Sequence, residues 1–262
     1  MTMTATGPST PYLRLDLALA GAAIERMAEH ARRHGLDLRP HAKTHKSVRL
    51  AQRQLEAGAV GLTVATIGEA EVFAEGGCQD LFIAFPLWVD AAKADRLQRV
   101  MGRARVAVGV DSRGSLDAMA AHGIRPEVLV EIDSGHHRSG VTPGEAGPLA
   151  RYAADAGFAV RGVFTFPGHS YGPQARASAA ADEAAALGDA VQACAAYGID
   201  LPARSGGSTP SAEFVGEGLT ELRPGVYLFG DAQQVELGSC RLDEVAVTVV
   251  ATVVSHAGGR VI

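Results

Sequence analysis

The chain has 262 residues, of which 47% are hydrophobic and 20% charged, a composition typical of a folded globular protein rather than a disordered or collagen-like chain. Its length fits one large domain, and an eight-stranded α/β barrel takes about 250 residues. With a net charge of -5 and no basic run, the sequence has no electrostatic footprint for nucleic acid or an anionic membrane. Small molecules are therefore the expected partners.

The chain ends and the cysteines carry no export or disulfide signal. Met1–Pro11 has neither the basic nor the apolar region of a secretory signal, and no apolar run approaches the roughly 20 residues of a membrane span. Cys78, Cys194 and Cys240 are widely spaced and form no Cys-x-x-Cys pair, so neither disulfides nor a Cys-rich zinc site are expected. We expect a cytoplasmic protein.

Apolar β-branched runs alternate with alanine-rich helical segments, the pattern of a parallel sheet joined by helices. The predicted strands are Asp37–Lys43, Ala59–Ala65, Asp80–Phe85, Arg105–Val110, Glu127–Asp133, Val160–Thr165, Leu201–Ser205 and Leu222–Phe229. The predicted helices are Ala18–His34, Ser47–Ala57, Ile67–Glu75, Val89–Arg103, Arg113–His122, Pro143–Ala156 and Arg176–Ala196. Eight evenly spaced strands, with no Gly-x-Gly-x-x-Gly after the first, favour a closed (β/α)8 barrel over an open doubly wound sheet.

Two further strands are predicted outside that pattern. Tyr12–Leu17 precedes the first helix, and Val245–His256 follows the eighth barrel strand. Because the barrel needs neither of them, we expect both to belong to a separate β domain.

The densest cluster of reactive side chains begins at Arg39 and ends at Lys46, at the C-terminal end of the first barrel strand, where barrel active sites are built. Strand alternation predicts that Arg39, His41 and Lys43 share one face. If that face is the inner one, Arg39, His45 and Lys46 lower the pKa of the Lys43 amine and make it a Schiff-base nucleophile. The alternative is a solvated basic loop. His41 and His45 lie on a strand and its turn, not on a helix, so a metal site is not expected there.

A glycine-rich segment, Ser205–Pro210, follows the seventh predicted strand, and Arg223–Val226 lies within the eighth. Loops after strands seven and eight form the recurrent phosphate site of these barrels, because glycine lets N–H groups close on the anion and Ser or Thr adds donors. Taken alone, such a segment is more often a plain turn. A lysine on strand one facing a phosphate site indicates pyridoxal phosphate.

Two polar segments follow the fifth and sixth predicted strands and reach the same end of the barrel. In the first, Arg138 is a candidate contact of the cofactor's phenolate oxygen, and Asp133 is expected only to hold a neighbour. In the second, His169 is a candidate for proton transfer near the substrate. Tyr171 or Arg223 would meet the ring nitrogen. For each candidate, a purely structural loop role is the alternative.

Five segments, in this order, resemble the D-threonine aldolase and eukaryotic-type D-serine dehydratase family. They are Arg39-Pro-His-Ala-Lys-Thr-His-Lys, Gly135-His-His-Arg-Ser-Gly, Pro167-Gly-His-Ser-Tyr, Ser205-Gly-Gly-Ser-Thr-Pro and Glu221-Leu-Arg-Pro-Gly. The similarity runs from about Thr10 to the last residue. This family belongs to the fold-type III, alanine-racemase-like pyridoxal phosphate enzymes, so the resemblance implies an α/β fold with a TIM barrel of the alanine-racemase N-terminal type.

The resemblance also implies roles for individual residues. Lys43 is then the Schiff-base lysine, Tyr171 the partner of the pyridine nitrogen, Arg138 a contact of the phenolate oxygen, and His169 the proton-transfer residue for a β-hydroxyl. By the same resemblance, the residues that hold the cofactor phosphate are Gly207, Ser208, Thr209, Gly225 and Val226. Arg223 stays a candidate cofactor contact from the residues themselves, as the alternative partner of the ring nitrogen.

In activity, the resemblance implies a homodimeric pyridoxal phosphate-dependent lyase that acts on D-3-hydroxy amino acids such as D-threonine or D-serine. It also implies a divalent metal, zinc or manganese, near the substrate hydroxyl. Deprotonation of that hydroxyl permits Cα–Cβ cleavage, whereas its loss permits β-elimination. An amino acid racemase and a non-catalytic pyridoxal phosphate-binding protein are the alternatives.

The sequence departs from the family after the barrel. Family members continue for about a hundred residues into a β domain of ordinary size, which carries a His-x-Cys or His-x-Asp metal pair. Here His256 is followed by Ala257 and Gly258, so no metal ligand is assigned. We expect a leader and β-domain strand at 1–17, a cofactor-binding barrel at 18–242, and the start of a truncated C-terminal β domain at 243–262.

Overall fold

The structure is a computed structural model that describes residues 8–215 and 218–261, so most of the predicted leader and Ile262 lie outside the described residues. Its strands are β1 (Tyr12–Leu15), β2 (Asp37–Leu38), β3 (Leu62–Val64), β4 (Asp80–Ile83), β5 (Arg105–Val110), β6 (Glu127–Glu131), β7 (Val160–Phe164), β8 (Ala203–Gly206), β9 (Glu221–Leu222), β10 (Val247–Val250), β11 (His256–Ala257) and β12 (Arg260–Val261). Strands β2 to β9 form one parallel sheet in the order β2-β9-β8-β7-β6-β5-β4-β3.

The two ends of this sheet meet and close it. His41 and Thr63 form a parallel bridge, and the N–H groups of Val60 and Thr63 donate to the carbonyls of Leu38 and Pro40, both at 2.9 Å. The predicted α/β barrel of eight parallel strands is therefore confirmed. The C-terminal ends of all eight strands lie at one rim.

The helices are α1 (Leu17–Arg33), α2 (Val48–Glu56), α3 (Ile67–Glu75), α4 (Ala91–Met101), α5 (Arg113–Ala121), α6 (Ala146–Asp155), α7 (Arg176–Ala195) and α8 (Ala232–Glu236). Six of them begin after a Ser, Thr or Asp whose side-chain oxygen accepts an N–H of the first turn, which fixes where each helix starts. None of the helices in the described ranges is long and apolar enough to cross a membrane.

Strand alternation divides the core into two layers. Leu81 and Ile83 of β4 belong to the main cluster between sheet and helices, whereas Phe82 points into the barrel with Leu129 and Phe164. The rings of Phe82 and Phe164 meet edge to face, with centroids 4.9 Å apart, the arrangement that aromatic quadrupoles favour. The barrel interior is thus filled by packed side chains at this level.

The first barrel strand ends earlier than predicted. Strand-like hydrogen bonding continues to His41, whose N–H donates to the Pro224 carbonyl at 2.9 Å, but a 3-10 turn then covers Ala42–Thr44. The His41 ring causes this turn, because its Nδ1 accepts the N–H of Lys43. Lys43 therefore lies on a turn, and its predicted place on the Asp37–Lys43 strand is wrong.

The eighth barrel strand is also shorter than the predicted Leu222–Phe229. It stops at Leu222, because Pro224 has no N–H with which to extend the ladder, and a 3-10 turn follows at Val226–Leu228.

The two strands predicted outside the barrel pair with each other. β1 and β10 run antiparallel, with Tyr12 opposite Val250 and Leu15 opposite Val247. The predicted strand Val245–His256 is interrupted, since residues 251–255 form no strand. β11 and β12 instead form a hairpin across Gly258 and Gly259, whose φ angles of 61° and 73° suit a tight two-residue turn. The assignment of these strands to a separate β domain stays a prediction.

The end of the barrel opposite the rim is held by buried charges. Arg39 is 1% exposed, and it donates to Glu221 at 2.6 Å and to Asp80 at 2.7 Å. Arg161 adds a longer contact with Glu221 at 3.5 Å. Arg39 thus neutralises two carboxylates at once, and its loss would leave them buried with only partial compensation.

We expect Arg39→Met to lower the free energy of unfolding by about 3 kcal/mol, the lower end for a broken buried pair because Arg161 remains. The control, Arg151→Met, breaks an exposed pair with Asp155 and should cost at most about 1 kcal/mol. Urea denaturation of both variants measures the difference. Equal losses would contradict the account.

Candidate active site

Three of the candidate residues at the rim, together with His136 of the Gly135-His-His-Arg-Ser-Gly segment, surround one aromatic ring, that of Phe166. Lys43 Nζ lies 5.4 Å from its centroid and Arg138 Cζ lies 5.2 Å from it. The ring of His136 meets it edge to face at 5.5 Å, and the ring of Tyr171 lies 6.4 Å away. Sequence reasoning missed Phe166, although an aromatic residue two positions after a barrel strand is a signal for a rim residue.

The environment of Lys43 lowers the pKa of its amine. Its side chain is open to solvent, yet the protein atoms packed around the amine lower its pKa by partial burial, and the charges of Arg138 and Arg223 lower it further. Glu69 acts in the opposite direction. A lowered pKa leaves more unprotonated amine, the form that attacks a carbonyl.

The three side chains that were predicted to lower the pKa of Lys43 contact other residues. Arg39 is held by its buried carboxylates at the opposite end of the barrel. His45 contacts Gln54 through Nε2 at 3.1 Å, and Lys46 forms an ion pair with Glu69 at 3.1 Å. The predicted origin of the lowered pKa is therefore wrong, because the charges that act on Lys43 come from Arg138 and Arg223.

Asp133 organises the loop that carries Arg138. One carboxylate oxygen accepts the N–H groups of Gly135 and His137, both at 3.0 Å, and the other lies 2.7 Å from the His137 ring. The expectation that Asp133 holds its neighbours is confirmed.

Glu131 lies beneath Arg138 with an unused oxygen. Its Oε1 accepts the Ser139 hydroxyl at 2.9 Å and lies 3.8 Å from Arg138. Its Oε2 is buried and has no hydrogen-bond partner among the described residues. Burial raises the pKa of Glu131, while Arg138 and the Ser139 hydrogen bond oppose the rise.

His169 and Tyr171 share the 3-10 turn Gly168–Tyr171 that follows β7. His169 Nε2 lies 3.2 Å from an Asp182 oxygen, and its Nδ1 is buried without a partner in the described structure. Because a carboxylate oxygen accepts, Nε2 is the donor in this contact. Burial, and next the charge of Asp231, raise the pKa of Tyr171 to about 12, so its phenol is a hydrogen-bond donor at neutral pH.

The loop after β8, residues 206–211 (the β8 loop), is held by hydrogen bonds to other parts of the protein. Glu183 accepts the N–H of Gly207 at 2.6 Å. The Ser208 hydroxyl contacts Ser170 at 2.8 Å and Ser211 at 2.9 Å, so it already has partners within the protein. Sequence reasoning missed Glu183.

Two loops leave backbone N–H groups free near one another. Thr209 Oγ1 accepts the N–H of Tyr227 at 3.0 Å, which links the β8 loop to the turn after β9. Within the described residues, the N–H groups of Thr209, Gly225 and Val226 donate no hydrogen bond. A Cβ on Gly225 would lie 2.8 Å from the Thr44 hydroxyl, so this turn packs closely against the turn that carries Lys43.

Arg223 is buried in the barrel below the rim. Its guanidinium lies 5.5 Å from the Phe82 ring and 5.3 Å from the Phe164 ring. It donates to the Thr165 carbonyl, and its Nε has no partner in the described part of the chain. Burial lowers the pKa of Arg223, and nearby carboxylates, chiefly that of Glu221, oppose this.

Two further features bear on the location of the site. In the ranges that the structure describes, no group of three or more His, Cys, Asp or Glu side chains is arranged to hold a metal ion. A cavity of about 540 Å³ is lined by residues of α1 and α8 and by Arg176, Thr209 and Tyr227, and Lys43 does not line it. The chemistry-bearing side chains gather at the open rim.

Known proteins match both the sequence and the fold. Residues 15–233 match the family described as "Alanine racemase, N-terminal domain". The chain is 38% identical over 262 residues to D-threo-3-hydroxyaspartate dehydratase of Delftia sp. HT23, which covers 94% of this chain and 68% of that enzyme. It is 48% identical over 155 residues to an uncharacterized protein of Mycobacterium tuberculosis, covering 57% of this chain and 90% of that one.

The fold is also similar to that of a solved structure. The D-threonine aldolase from Filomicrobium marinum superposes with a TM-score of 0.86 at 33% identity, over 95% of this chain and 70% of the aldolase.

We expect Arg138→Gln to raise the pKa of Lys43, because a nearby positive charge disfavours the ammonium form and its removal relieves that effect. The midpoint for acetylation of Lys43, followed by mass spectrometry across a pH series, should move to higher pH. Arg53→Gln, on the exposed side of α2, is the matched control and should leave it unchanged. An unmoved midpoint in Arg138→Gln would show that Arg138 does not act on Lys43.

Proposed function

The chain belongs to the alanine racemase N-terminal domain family, and on this basis we propose that it is a pyridoxal phosphate-dependent lyase acting on D-3-hydroxy amino acids. Its relatives that bear the names of D-threo-3-hydroxyaspartate dehydratase, D-serine dehydratase and D-threonine aldolase are fold-type III pyridoxal phosphate enzymes. The observation that carries the proposal is the placement of Lys43, an amine of lowered pKa, against a turn with free N–H groups.

The residues at the rim fit this cofactor. An aldehyde needs an amine, and Lys43 supplies one. A phosphate needs several donors, and the N–H groups of Thr209, Gly225 and Val226, which donate no hydrogen bond among the described residues, are available for it. Gly225 has no room for a side chain beside Thr44, which explains the glycine at this position.

When bound, pyridoxal phosphate supplies an electron sink that makes the bonds at an amino acid Cα labile. Lys43 would hold the cofactor covalently through Nζ. Tyr171, a phenol whose pKa is raised, would donate a hydrogen bond to the pyridine nitrogen, and Arg138 would contact the phenolate oxygen. Arg223, buried under the rim, would add positive charge to the site.

His169 moves the proton of the substrate's β-hydroxyl. Its Nε2 donates to Asp182, so Nδ1 is the nitrogen that would take the hydroxyl proton. Removal of that proton would allow Cα–Cβ cleavage, with the hydroxyl carbon leaving as an aldehyde and a proton returning to Cα. Elimination would instead need removal of the Cα proton and donation of a proton to the β-hydroxyl, which would leave as water. The described residues do not fit a divalent metal site, so no step here passes through a metal. We also propose that the protein forms a homodimer and is located in the cytoplasm.

We expect the wild-type chain, loaded with pyridoxal phosphate, to convert D-threonine, D-serine or D-threo-3-hydroxyaspartate. Glycine with an aldehyde indicates cleavage, and ammonia with a keto acid indicates elimination; assays run with and without added manganese or zinc. Lys43→Ala should lose all turnover, because the chain then has no amine at the site. Lys46→Ala is the control and should retain it. Exchange of the Cα hydrogen without any of these products would instead favour a racemase.

His169→Asn should reduce turnover by about 10²- to 10⁴-fold, the contribution of a positioned acid or base, while cofactor affinity stays within about twofold since His169 makes no cofactor contact. The turnover rate and a titration of the visible cofactor band, which gives the cofactor affinity, are measured for each variant. His137→Asn, on the exposed end of the Asp133 loop, is the control. Full turnover in His169→Asn would remove His169 from the mechanism.

A further inference from the structure

Helix α7 carries a carboxylic acid on an otherwise apolar face. Its buried residues are Ala179, Ala180, Glu183, Leu187, Ala190 and Cys194. This spacing of three or four residues is one face of a helix, and Glu183 on it is only 2% exposed. Burial of a carboxyl group is strongly unfavourable unless it is hydrogen-bonded, so its presence there requires a specific partner.

That partner is the β8 loop. Glu183 Oε1 accepts the Gly207 N–H at 2.6 Å, and Arg223 is the charged residue that acts on it. Burial raises the pKa of Glu183 to about 7, while the Gly207 hydrogen bond and the charge of Arg223 oppose the rise. Near neutral pH the group is thus only partly ionised, which weakens its repulsion of an anion at the loop.

The two glycines of the Ser205-Gly-Gly-Ser-Thr-Pro segment are explained by what lies beneath them. A Cβ on Gly206 would lie 2.4 Å from Glu183 Oε1, and a Cβ on Gly207 would lie 2.2 Å from a Leu222 methyl carbon. Gly207 also has φ +82°, which side chains rarely adopt. The glycine pair therefore lets the loop settle onto Glu183 and Leu222.

The contact between Glu183 and Gly207 determines which backbone N–H groups of the β8 loop remain available to a ligand. The Gly207 N–H is taken by Glu183, and the Ser208 N–H donates to Ser211 Oγ at 3.0 Å. Neither is free for a bound anion. We propose that Glu183 is the positioning residue of the β8 loop, holding it through Gly207 so that Thr209, together with Gly225 and Val226, presents its N–H to the phosphate of pyridoxal phosphate. This inference rests on the proposed function.

The test compares pyridoxal phosphate with pyridoxal, which lacks the phosphate. Glu183→Ala suits the alanine-rich helix but removes the acceptor, whereas Glu183→Gln keeps an oxygen that can accept the Gly207 N–H. Equilibrium titration of the visible band should show that Glu183→Ala weakens pyridoxal phosphate binding about five- to tenfold, the scale of one lost hydrogen bond. Pyridoxal binding should stay unchanged in this variant, and Glu183→Gln should bind both like the wild type.

Equal loss of affinity for both ligands in Glu183→Ala, or no loss for either, would overturn the inference. A wild-type chain that binds neither ligand would count against the proposed function instead, so the two failures are distinguishable.

A second measurement needs no variant. In residue-resolved amide hydrogen exchange of the wild-type chain, the Gly207 N–H should be protected before any ligand is added. Inorganic phosphate should then protect the N–H groups of Thr209, Gly225 and Val226 without changing Gly207. Fast exchange at Gly207 that phosphate slows would show that Gly207 itself meets the anion and would overturn the inference.

Discussion

Closure of the parallel sheet between its first and last strands is the constraint on which the site depends. The bridge from His41 to Thr63 joins β2 to β3 and so fixes where the first strand ends. The His41 ring then caps the turn that carries Lys43. On its other side β2 pairs with β9, and this pairing sets that turn against Gly225. A sheet left open between β2 and β9 would place the amine and the N–H groups of Gly225 and Val226 at opposite edges.

Buried charges are arranged in two layers inside this barrel. At the end away from the rim, Arg39 neutralises Glu221 and Asp80, which stabilises the barrel and does not reach Lys43. Nearer the rim, Arg223 lies between aromatic rings and faces carboxylates on separate elements, with Glu183 among them. The second layer keeps positive charge close to Lys43, and this charge favours the neutral amine.

The sequence predicted the barrel and the residues at its rim because both follow from local patterns. The alternation of apolar β-branched runs with alanine-rich segments predicted the elements, and parallel strands bring their C-terminal ends together. The partners of long side chains could not be predicted in this way. Arg39 meets Glu221 across 182 positions of the chain, and only the folded barrel shows that this pair removes Arg39 from Lys43. Glu183 carried a usable signal, an acid on an apolar helix face.

The central claim, that Lys43 binds the cofactor, is tested most directly by borohydride reduction of the chain with pyridoxal phosphate, followed by peptide mapping. The sequence has three lysines, Lys43, Lys46 and Lys93, so each can be scored. The account predicts a pyridoxyl adduct on Lys43, with Lys46 and Lys93 unmodified at stoichiometric cofactor. An adduct on Lys46 or Lys93 with Lys43 free, or no adduct at all, would contradict it.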